Sequence, residues 1–407
     1  MSQFAESLHP VVVENRDSWM GVTPLLYVID YFRDPHAGTE GQLFALIEGL
    51  DRSEFAPHLL VFEDSPWLRE HGFPCDYTVL GSRSLASPLT WYALARLVRG
   101  FRRQGYRLAH VFFNDPSLIC PPVFRMFGIH TLLSRRDMGY WYTPALARIL
   151  RITGRFAEGV IANSKAVKAV TVAEEGFAEK DIHVIYNGYP DSKVGSSIVN
   201  PQTTLLANLR EQGCLLMGLV ANIRPIKRIG DAVACLGLLR ETVPHLNLVV
   251  IGAGDGADLI RQARDHGVEE RLHLMGGSDD VAGCLGYLDI GILCSESEGF
   301  SNAIVEYKRA GLPVVCSEVG GNPEAITHGE DGFVFPVGNT ESLAEAVRAL
   351  AGDPELRKTM GELAKQNAER EFSMDRMLEA HQSLYRAVLA RHTGCSGNSK
   401  ATGESIG

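Results

Sequence analysis

Short apolar runs alternate with amphipathic helical patterns along most of the chain, and the alternation falls into two series. In the first series the apolar runs are separated by helical stretches such as 39–50 and 90–104. Short buried strands separated by helices are typical of parallel sheets built from βαβ units. The predicted strands of this series are "TPLLYVID", "PHLLVFE", "LAHVFF", "HTLLS", "EGVIANS" and "DIHVIYNG".

A polar segment rich in Gly, Ser and Pro, "PDSKVGSSIVNPQTT", separates the two series and indicates an interdomain linker. The second series contains "CLLMGLVANI", "LNLVVIGAG", "RLHLMGG", "LDIGILCS", "LPVVCSEV" and "GFVFPV". The pattern predicts an α/β protein with two doubly wound Rossmann-like domains that face a central ligand-binding cleft. The predicted parts are a first domain at 1–195, a linker at 196–213, a second domain at 214–373, a helix at 374–392 that packs back on the first domain, and a disordered tail at 393–407.

Composition excludes several other classes of protein. The chain has 407 residues, 45% of them hydrophobic, and a formal net charge of −10, which argues against a general nucleic-acid binder. Its eight cysteines form no CxxC pair, so we expect neither a disulfide framework nor a zinc site. Free cysteines are typical of proteins in a reducing compartment, and we expect that environment for this protein. The start of the chain has no signal-peptide pattern and no apolar run approaches bilayer length, which favours a cytoplasmic protein.

The segment "LDIGILCSESEGFSNAIVEYKRAG" predicts a strand, a sharp elbow and a helix. Gly299 permits the turn, Ser301 or Asn302 can cap the helix, and the first backbone N–H groups of such a helix attract phosphate. Glu298 stands beside this anion pocket, and Glu306 lies about a turn and a half into the helix. Phosphates flanked by hydroxyl-rich groups, as in a nucleotide-sugar, would suit the pocket. The alternative is that Glu298 compensates the helix dipole and Glu306 is a solvated helix residue.

The region "ESEGFSNAIVEYKRAGLPVVCSEVGGNPEAITHGEDGFVFP" resembles the signature of the family 4 retaining glycosyltransferases, which have the GT-B fold. Glu298 and Glu306 match the E-x7-E spacing of that family. The resemblance implies that Glu298 binds hydroxyls of the donor sugar, that Glu306 binds the ribose, and that the nucleobase lies near "LHLMGGSDD". It also implies an elbow that holds the diphosphate or sugar through Gly299, Phe300, Ser301 and Asn302.

Basic residues follow the first strand of the second domain in "LVANIRPIKRIGDAV". Lys227 falls on the lysine position of the family, whereas Asn222 occupies the position of the usual arginine. Arg224 is the candidate substitute, and a cation here would stabilise the departing diphosphate. The alternative is a plain basic helix start that includes Arg228, although cations are unfavourable at that end of a helix.

The first domain supplies candidates for the acceptor side. "DPHAGTEG" resembles the Gly-Gly-x-Glu loop of the family, with Ala37 at one glycine position, and places Gly38 and Thr39 near the diphosphate or acceptor. The alternative is a plain helix with Thr39 as its N-cap.

Two further segments depart from the family pattern. "LAHVFFNDPSL" retains His110 of a His-x-His pair but has Phe112 at the second position. In "SRRDMGYWYTP", Arg135 or Arg136 with Asp137 could grip an anionic acceptor group or form an internal ion pair.

Two other patterns have competing interpretations. "GAGDGA" at 252–257 satisfies a dinucleotide-binding fingerprint, but it follows the second strand of its domain and lacks the acid expected about 20 residues on, so NAD binding is disfavoured. The basic helix at 90–107 is interpreted as a solvated face over a core stripe. The alternative is docking to an anionic membrane that carries a lipid-linked acceptor.

Together these features predict a retaining, metal-independent glycosyltransferase without a cofactor. It would move a sugar from a nucleotide-sugar, UDP-linked in preference to GDP-linked, to a glycan or lipid-linked acceptor in cell-surface polysaccharide or glycolipid synthesis. The alternatives are a nucleotide-sugar epimerase of the same fold and a non-catalytic protein that binds nucleotide-sugars.

Overall fold

The computed structural model describes residues 21–35, 38–81, 84–190 and 200–393. The chain divides into two compact units. Unit 1 contains the described residues up to Asn163, Lys168–Ile185 and the segment from Asp375, while unit 2 contains Ser164–Val167 and Tyr186–Met374. The predicted tail at 393–407 lies outside the described residues except for Thr393, which ends the last helix, as do the start of the chain before residue 21 and the polar segment at 191–199.

Unit 1 is built on a seven-stranded sheet in which every pairing is parallel. The central strand, Leu108–Val111, is buried along its whole length, as expected when helices cover both sides of a parallel sheet. The strand Tyr77–Val79 was absent from the sequence prediction because three residues are too short to give a periodic signal. In spatial order the strands are β3 (Tyr77–Val79), β2 (Phe55–Glu63), β1 (Thr23–Tyr31), β4 (Leu108–Val111), β5 (His130–Arg135), β6 (Gly159–Ala162) and β7 (Ile182–Val184).

Unit 2 is built on a six-stranded parallel sheet. All six strands predicted for the second series are present, so the prediction of two doubly wound α/β units is confirmed. In spatial order the strands are β10 (Leu272–Leu274), β9 (Leu246–Ile251), β8 (Leu215–Val220), β11 (Ile290–Leu293), β12 (Val314–Ser317) and β13 (Gly332–Phe335).

Helices connect the strands in both units, with short 3-10 turns at Gly154–Phe156, Glu179–Asp181, Pro225–Lys227 and Glu269–Arg271. No helix among the described residues combines the length and apolar composition needed to cross a bilayer. The helices are α1 (Gly38–Glu48), α2 (Pro66–His71), α3 (Pro88–Arg103), α4 (Asn114–Met126), α5 (Pro144–Thr153), α6 (Lys165–Glu175), α7 (Pro201–Glu211), α8 (Ile229–Leu238), α9 (Ala257–Asp265), α10 (Val281–Leu285), α11 (Asn302–Arg309), α12 (Asn322–Ala325), α13 (Thr340–Gly352), α14 (Pro354–Glu371) and α15 (Met374–Thr393).

Helix α7 occupies most of the segment that the sequence analysis assigned to a linker, and that assignment was wrong for Pro201–Glu211. The helix has strong local start signals. The Asn200 side chain accepts a bond from the Thr203 amide, the Thr203 side chain bonds back to the Asn200 amide, and Pro201 occupies the first turn. The polar composition before residue 200 concealed these signals.

Helix α15 belongs to unit 1, although it ends the described chain. The Asp51 amide donates to Gln382 at 3.0 Å, and Arg386 makes two bonds of 2.7 Å to the Glu54 carboxylate. The buried Tyr27 hydroxyl lies 3.3 Å from the Tyr385 hydroxyl. These bonds tie the last helix to the first strand of unit 1 and to the turn that precedes the second strand.

A buried ion pair fixes helix α11 of unit 2. Lys308 Nζ lies 2.8 Å from Asp331 Oδ2 and 2.6 Å from the Ala325 carbonyl oxygen, and Asn367 donates to the same carboxylate oxygen. Because both charges are almost fully buried, losing either partner would leave the other uncompensated. The pair anchors the helix that follows the Glu298 elbow.

Each sheet has a topological switch point. In unit 2, β8 lies between β9 and β11, so the loops that follow β8 and β11 depart to opposite sides of the sheet. In unit 1, β1 lies in the same way between β2 and β4. Open α/β sheets bind ligands in the crevice at the carboxyl ends of such strands.

Candidate functional site

The loops after β8 and β11 meet at the switch point of unit 2. The Glu296 amide donates to the Ile226 carbonyl at 2.8 Å, which fixes one backbone against the other. Lys227 Nζ lies 2.6 Å from Glu298 Oε1. Two residues predicted for the site from separate motifs are therefore in direct contact.

The Lys227–Glu298 ion pair is partly buried, with 25% of the lysine side chain and 11% of the glutamate side chain exposed. The Ser295 hydroxyl also donates to Glu298 Oε1, at 2.6 Å. Each charge is thus neutralised by the other and held in one orientation. An anion that attracted Lys227 would release Glu298 to accept bonds from hydroxyl groups.

Helix α11 begins in the elbow without a side-chain cap. Ser301 is the extended N-cap residue, and its hydroxyl makes no hydrogen bond to the first turn. The first-turn N–H groups of α11 and the positive end of the helix dipole therefore lie beside Glu298 and Lys227, an arrangement that suits a phosphate.

The side chains of Phe300 and Asn302 make contacts within unit 2, and the predicted donor contact of these residues through the elbow stays a prediction. Phe300 is buried against Tyr186 and Phe372. The Asn302 Oδ1 atom accepts bonds of 2.6 Å from Asn187 Nδ2 and the Tyr189 hydroxyl. These two residues can offer a ligand only their backbone while those contacts persist.

The elbow is held in place by a close backbone contact with Gly321, a position where only glycine fits. A Cβ atom on Gly321 would lie 2.3 Å from the Gly299 carbonyl oxygen and 2.9 Å from Ser164 Cβ. The Gly321 amide donates to the Glu298 carbonyl at 3.3 Å, and the Ser164 hydroxyl donates to the Gly299 carbonyl at 2.6 Å. The "GG" that follows β12 thus supports the elbow from behind.

Glu306 lies in α11 with a small part of its side chain exposed. Burial raises the pKa of its carboxyl group from 4.5 to about 7. Within the described part of the chain, no cation forms an ion pair with it. It is an acid held in surroundings that penalise its charge, a condition common at ligand sites.

The cations after β8 differ in their availability. Arg224 is exposed, and none of the described acids forms an ion pair with it. Arg228 has a left-handed backbone with φ of 46° and makes bonds of 2.8 and 3.0 Å to Asp231. Asn222, at the position where the family has arginine, accepts a bond from the Ala253 amide. Arg224 is therefore the cation of this loop without an acidic partner among the described residues, and Lys227 becomes available to a ligand when its pair with Glu298 opens.

The "GAGDGA" glycines pack one loop against another. A Cβ atom on Gly252 would lie 2.0 Å from the Ala221 carbonyl oxygen, and one on Gly254 would lie 2.7 Å from Ile223 Cβ. These contacts explain the glycines without a dinucleotide.

Helix α7 supports the segment predicted to lie near the nucleobase. Gln202 Nε2 donates to the carbonyl oxygens of Met275 and Gly277 at 2.9 and 3.0 Å. The sequence analysis missed Gln202 because it placed this residue in a linker.

In unit 1, Gly38 and Thr39 lie in the first turn of α1, which follows β1 at its switch point. Gly38 is exposed and Thr39 is half-buried. Because the helix already begins at Gly38, Thr39 is not its N-cap, and that alternative was wrong. Ala37 lies outside the described residues.

His110 occupies the interior of unit 1, in contrast to the acceptor contact predicted for it. Its Nδ1 atom lies 2.9 Å from the Tyr385 hydroxyl, and its ring packs against Phe112 with centroids 4.3 Å apart. Burial, together with the charges of His381 and Arg136, holds its pKa well below 6.5, so the ring is neutral. Its Nε2 atom has no hydrogen-bond partner among the described residues.

The "SRRD" segment contains one structural arginine and one half-buried one. Arg135 is buried and makes bonds of 2.5 and 2.7 Å to Glu175, so the internal ion pair weighed for it is present. Asp137 accepts bonds from the Gly139 amide and Trp141 Nε1 through one carboxylate oxygen and so orders the loop, and its predicted acceptor-side role stays a prediction. Arg136 is half-buried, and its charge contributes to the low pKa of His110.

Replacing Glu306 by glutamine is expected to favour the folded state more at pH 8 than at pH 4. The unfolding free energy of the variant minus that of the unmutated protein should be about 1–3 kcal/mol larger at pH 8 than at pH 4. The native carboxyl group has a pKa of about 7 against an ordinary 4.5, so the folded state binds this proton more tightly than the unfolded chain does. Stability of the unmutated protein therefore falls as pH rises across that interval, and the variant lacks this loss. Chemical denaturation at both pH values measures the effect.

Glu362→Gln, at an exposed position in α14, is the matched control and should show no such pH dependence. If the difference in unfolding free energy between Glu306→Gln and the unmutated protein is the same at both pH values, the Glu306 carboxyl group has an ordinary pKa and the prediction is wrong.

Comparison with known proteins agrees with this geometry. The family described as Glycosyltransferase Family 4 matches residues 37–193, and the family described as Glycosyl transferases group 1 matches residues 208–367. N-acetyl-alpha-D-glucosaminyl L-malate synthase of Bacillus anthracis is 27% identical over 297 residues, which are 71% of this chain and 76% of that enzyme. The capsular polysaccharide biosynthesis glycosyltransferase CapM of Staphylococcus aureus is 24% identical over 185 residues, which are 44% of this chain and 48% of that protein.

The fold also matches solved structures. HepE of Anabaena, crystallised in complex with UDP and glucose, has a TM-score of 0.75 at 20% identity, with 90% of this chain and 100% of that chain covered. The two family matches together span most of the sequence. The chain therefore belongs to the family 4 glycosyltransferases, enzymes of the GT-B fold that transfer a sugar from a nucleotide-sugar.

Proposed function

We propose that the protein is a retaining, metal-independent glycosyltransferase that uses a UDP-sugar in preference to a GDP-sugar. Its acceptor would be a glycan or a lipid-linked saccharide in cell-surface polysaccharide or glycolipid synthesis, and the reaction would take place in the cytoplasm. The observation that carries the proposal is the contact between Lys227 and Glu298 beside the uncapped start of α11. The UDP complex of HepE supports the donor, and the name of CapM supports the acceptor class.

Donor binding would rearrange the ion pair. The diphosphate attracts Lys227 and the first-turn amides of α11, with Arg224 as a second cation. Glu298, released from the lysine, accepts hydrogen bonds from hydroxyl groups of the sugar. The negative charge on the diphosphate grows as the bond to the sugar breaks, so cations fixed beside it lower the barrier.

Glu306 would bind the ribose. A ribose presents two neighbouring hydroxyl groups, and a carboxylate can accept a hydrogen bond from each. Such bonds stabilise the charged form and offset the burial that raises the pKa to about 7. Binding of a nucleotide-sugar would therefore strengthen as pH rises toward that value.

Retention would follow from attack on the face that the diphosphate leaves. The bond between the anomeric carbon and the phosphate oxygen breaks, and the acceptor oxygen bonds to the anomeric carbon on the same face. The acceptor proton passes to the leaving phosphate oxygen, so the step requires no enzyme nucleophile. The Bacillus relative is named for an α-linked product, and a retaining transfer from an α-linked donor gives that configuration.

The acceptor would be recognised by unit 1. Arg136, on the loop that Asp137 orders, is the candidate for an anionic group of the acceptor, and Gly38 and Thr39 lie at the start of α1. A small hydroxy acid is a second acceptor class, favoured by the half-buried Arg136 and by the malate named for the Bacillus relative.

A lipid-linked acceptor would require contact with a membrane, and α3 has a suitable surface. Leu94, Val98 and Phe101 of this helix face the core. Its outer surface combines basic and apolar side chains, the composition that binds anionic lipid. Helix α4 contacts both α3 and α5, and α5 exposes side chains of the same two kinds. The exposed residues on α3 are Leu89, Trp91, Tyr92, Arg96, Arg99 and Arg103, and those on α5 are Arg148, Ile149 and Ile152.

Lys227→Ala is expected to lower turnover about 100- to 1,000-fold, because it removes a charge that stabilises the leaving diphosphate. UDP-glucose should raise the melting temperature of the unmutated protein, and both Lys227→Ala and Glu298→Ala should reduce that shift. Lys358→Ala, at an exposed position in α14, is the matched control for loss of a lysine. A thermal-shift screen of UDP-, GDP- and ADP-sugars makes the measurement.

The proposal fails if no nucleotide-sugar raises the melting temperature of the unmutated protein. Conversion of the donor to its epimer without an acceptor would identify an epimerase. Donor binding without turnover on any glycan, lipid-linked or hydroxy-acid acceptor would identify a non-catalytic binding protein.

The product is expected to keep the anomeric configuration of the donor, and EDTA is expected to leave the rate unchanged. Proton NMR of the first product formed gives the configuration before the sugar can equilibrate. Inversion would exclude attack on the face of the leaving group. A rate that EDTA abolishes and Mg²⁺ restores would show that Lys227 and Arg224 do not suffice to neutralise the diphosphate.

Reversing the charge of Arg96, Arg99 and Arg103 to glutamate is expected to reduce co-sedimentation with vesicles that contain anionic phospholipid. Each basic residue near such a surface contributes about 1 kcal/mol of attraction. Reversal of the exposed Arg240, Arg261 and Arg264 in unit 2 is the matched control. If the two triple variants bind the vesicles equally, α3 does not dock to the membrane and its basic side chains form a solvated surface.

A further inference from the structure

Three side chains that the proposed reaction does not use converge at one end of the unit 1 sheet. His130 is the first residue of β5, Glu158 immediately precedes β6, and His392 lies in the last turn of α15. His130 Nδ1 is 2.6 Å from Glu158 Oε1, and His392 Nε2 is 3.0 Å from Glu158 Oε2. One potential metal-ligand atom from each residue lies within 4.8 Å of the others.

We propose that His130, Glu158 and His392 form a binding site for a divalent transition-metal ion, with Zn²⁺ as the ion that their donors fit. Two imidazole nitrogens and one carboxylate are a common three-ligand set for zinc, and water completes the coordination. The sequence predicts no metal site because its cysteines form no CxxC pair. These three residues are brought together only by the fold.

The protonation states of His130 and Glu158 suit coordination. Burial lowers the pKa of His130, and the hydrogen bond to Glu158 offsets this only in part, so its ring is neutral at physiological pH. Burial of Glu158 favours the neutral acid, but its bonds to the two histidines outweigh this and lower its pKa. A metal ion needs a neutral imidazole and an ionised carboxylate.

Two features of the cluster would change on binding. The imidazole rings of His130 and His392 are stacked with centroids 3.5 Å apart, and both nitrogens can point at one ion only if the rings splay. His392 can make this movement because it lies at a helix end and its side chain is 33% exposed. Arg125, which contacts Glu158 Oε1 at 3.0 Å, is more than half exposed and can turn to solvent or remain as an outer partner of the carboxylate.

The site is separate from the residues assigned to transfer. His130 and Glu158 lie at the amino ends of their strands, whereas the switch point of unit 1 lies at the carboxyl ends. A bound ion would join the last turn of α15 to the amino ends of β5 and β6. We therefore assign it to attachment of the C-terminal helix and expect no role for it in neutralising the diphosphate.

Titration calorimetry of Zn²⁺ into the chelator-treated full chain tests the site. We expect His392→Ala and Glu158→Gln each to weaken one zinc-binding event by more than about tenfold, since even loss of an outer-shell partner costs about that much. His245→Ala, which removes an exposed histidine of unit 2, should retain the affinity of the unmutated protein. Unchanged zinc affinity and stoichiometry in His392→Ala would overturn the proposal.

Hydrogen exchange locates the ion independently of zinc bound by the free cysteines. Zinc should slow amide exchange in the last turns of α15 in the unmutated protein and in His245→Ala, and should leave it unchanged in His392→Ala. Circular dichroism with chelator present checks that each variant is folded. Exchange in α15 of the unmutated protein that does not respond to zinc would also overturn the proposal.

Discussion

The ion pair between Lys227 and Glu298 joins the two loops from which the donor site is built. It sets the position of the lysine at the switch point, and the Glu296–Ile226 backbone bond holds the loops in register beneath it. A partly buried pair of this kind is costly to open unless both partners are compensated. In the proposed donor complex a nucleotide-sugar would compensate both, because its phosphates would replace the carboxylate and its sugar hydroxyls would replace the ammonium group. A free nucleoside diphosphate would compensate only the lysine, and this asymmetry would favour exchange of product for donor.

Much of this site can be predicted from the sequence, because local patterns determine it. The strand, the Gly299 turn and the start of α11 follow one another within a single segment, and the E-x7-E spacing fixes how far apart the two acids lie along it. Lys227 was identified from the resemblance to the family, in a segment that follows a buried strand. The contact between Lys227 and Glu298 required one further rule, that adjacent parallel strands bring their carboxyl ends to one edge.

The errors concern residues whose partners are distant in sequence. Whether Arg135 faces a ligand or Glu175, and whether His110 faces solvent or Tyr385, depends on packing that no local pattern records. Asn302 is a similar case, since its partners precede it by more than 100 residues. Helix α7 differs from these, because its start signals were present locally and were outweighed by the polar composition of the preceding segment.

The close approach of Gly321 to the Gly299 carbonyl limits how donor preference can evolve in this protein. Any side chain at Gly321 would displace the elbow that carries Glu298, so random substitution there removes function before it alters selectivity. The loops after β8 and β9 are constrained in the same way by Gly252 and Gly254. Variation that survives selection should therefore accumulate in side chains that project from these fixed backbones, such as Arg224, while the backbone path itself stays unchanged.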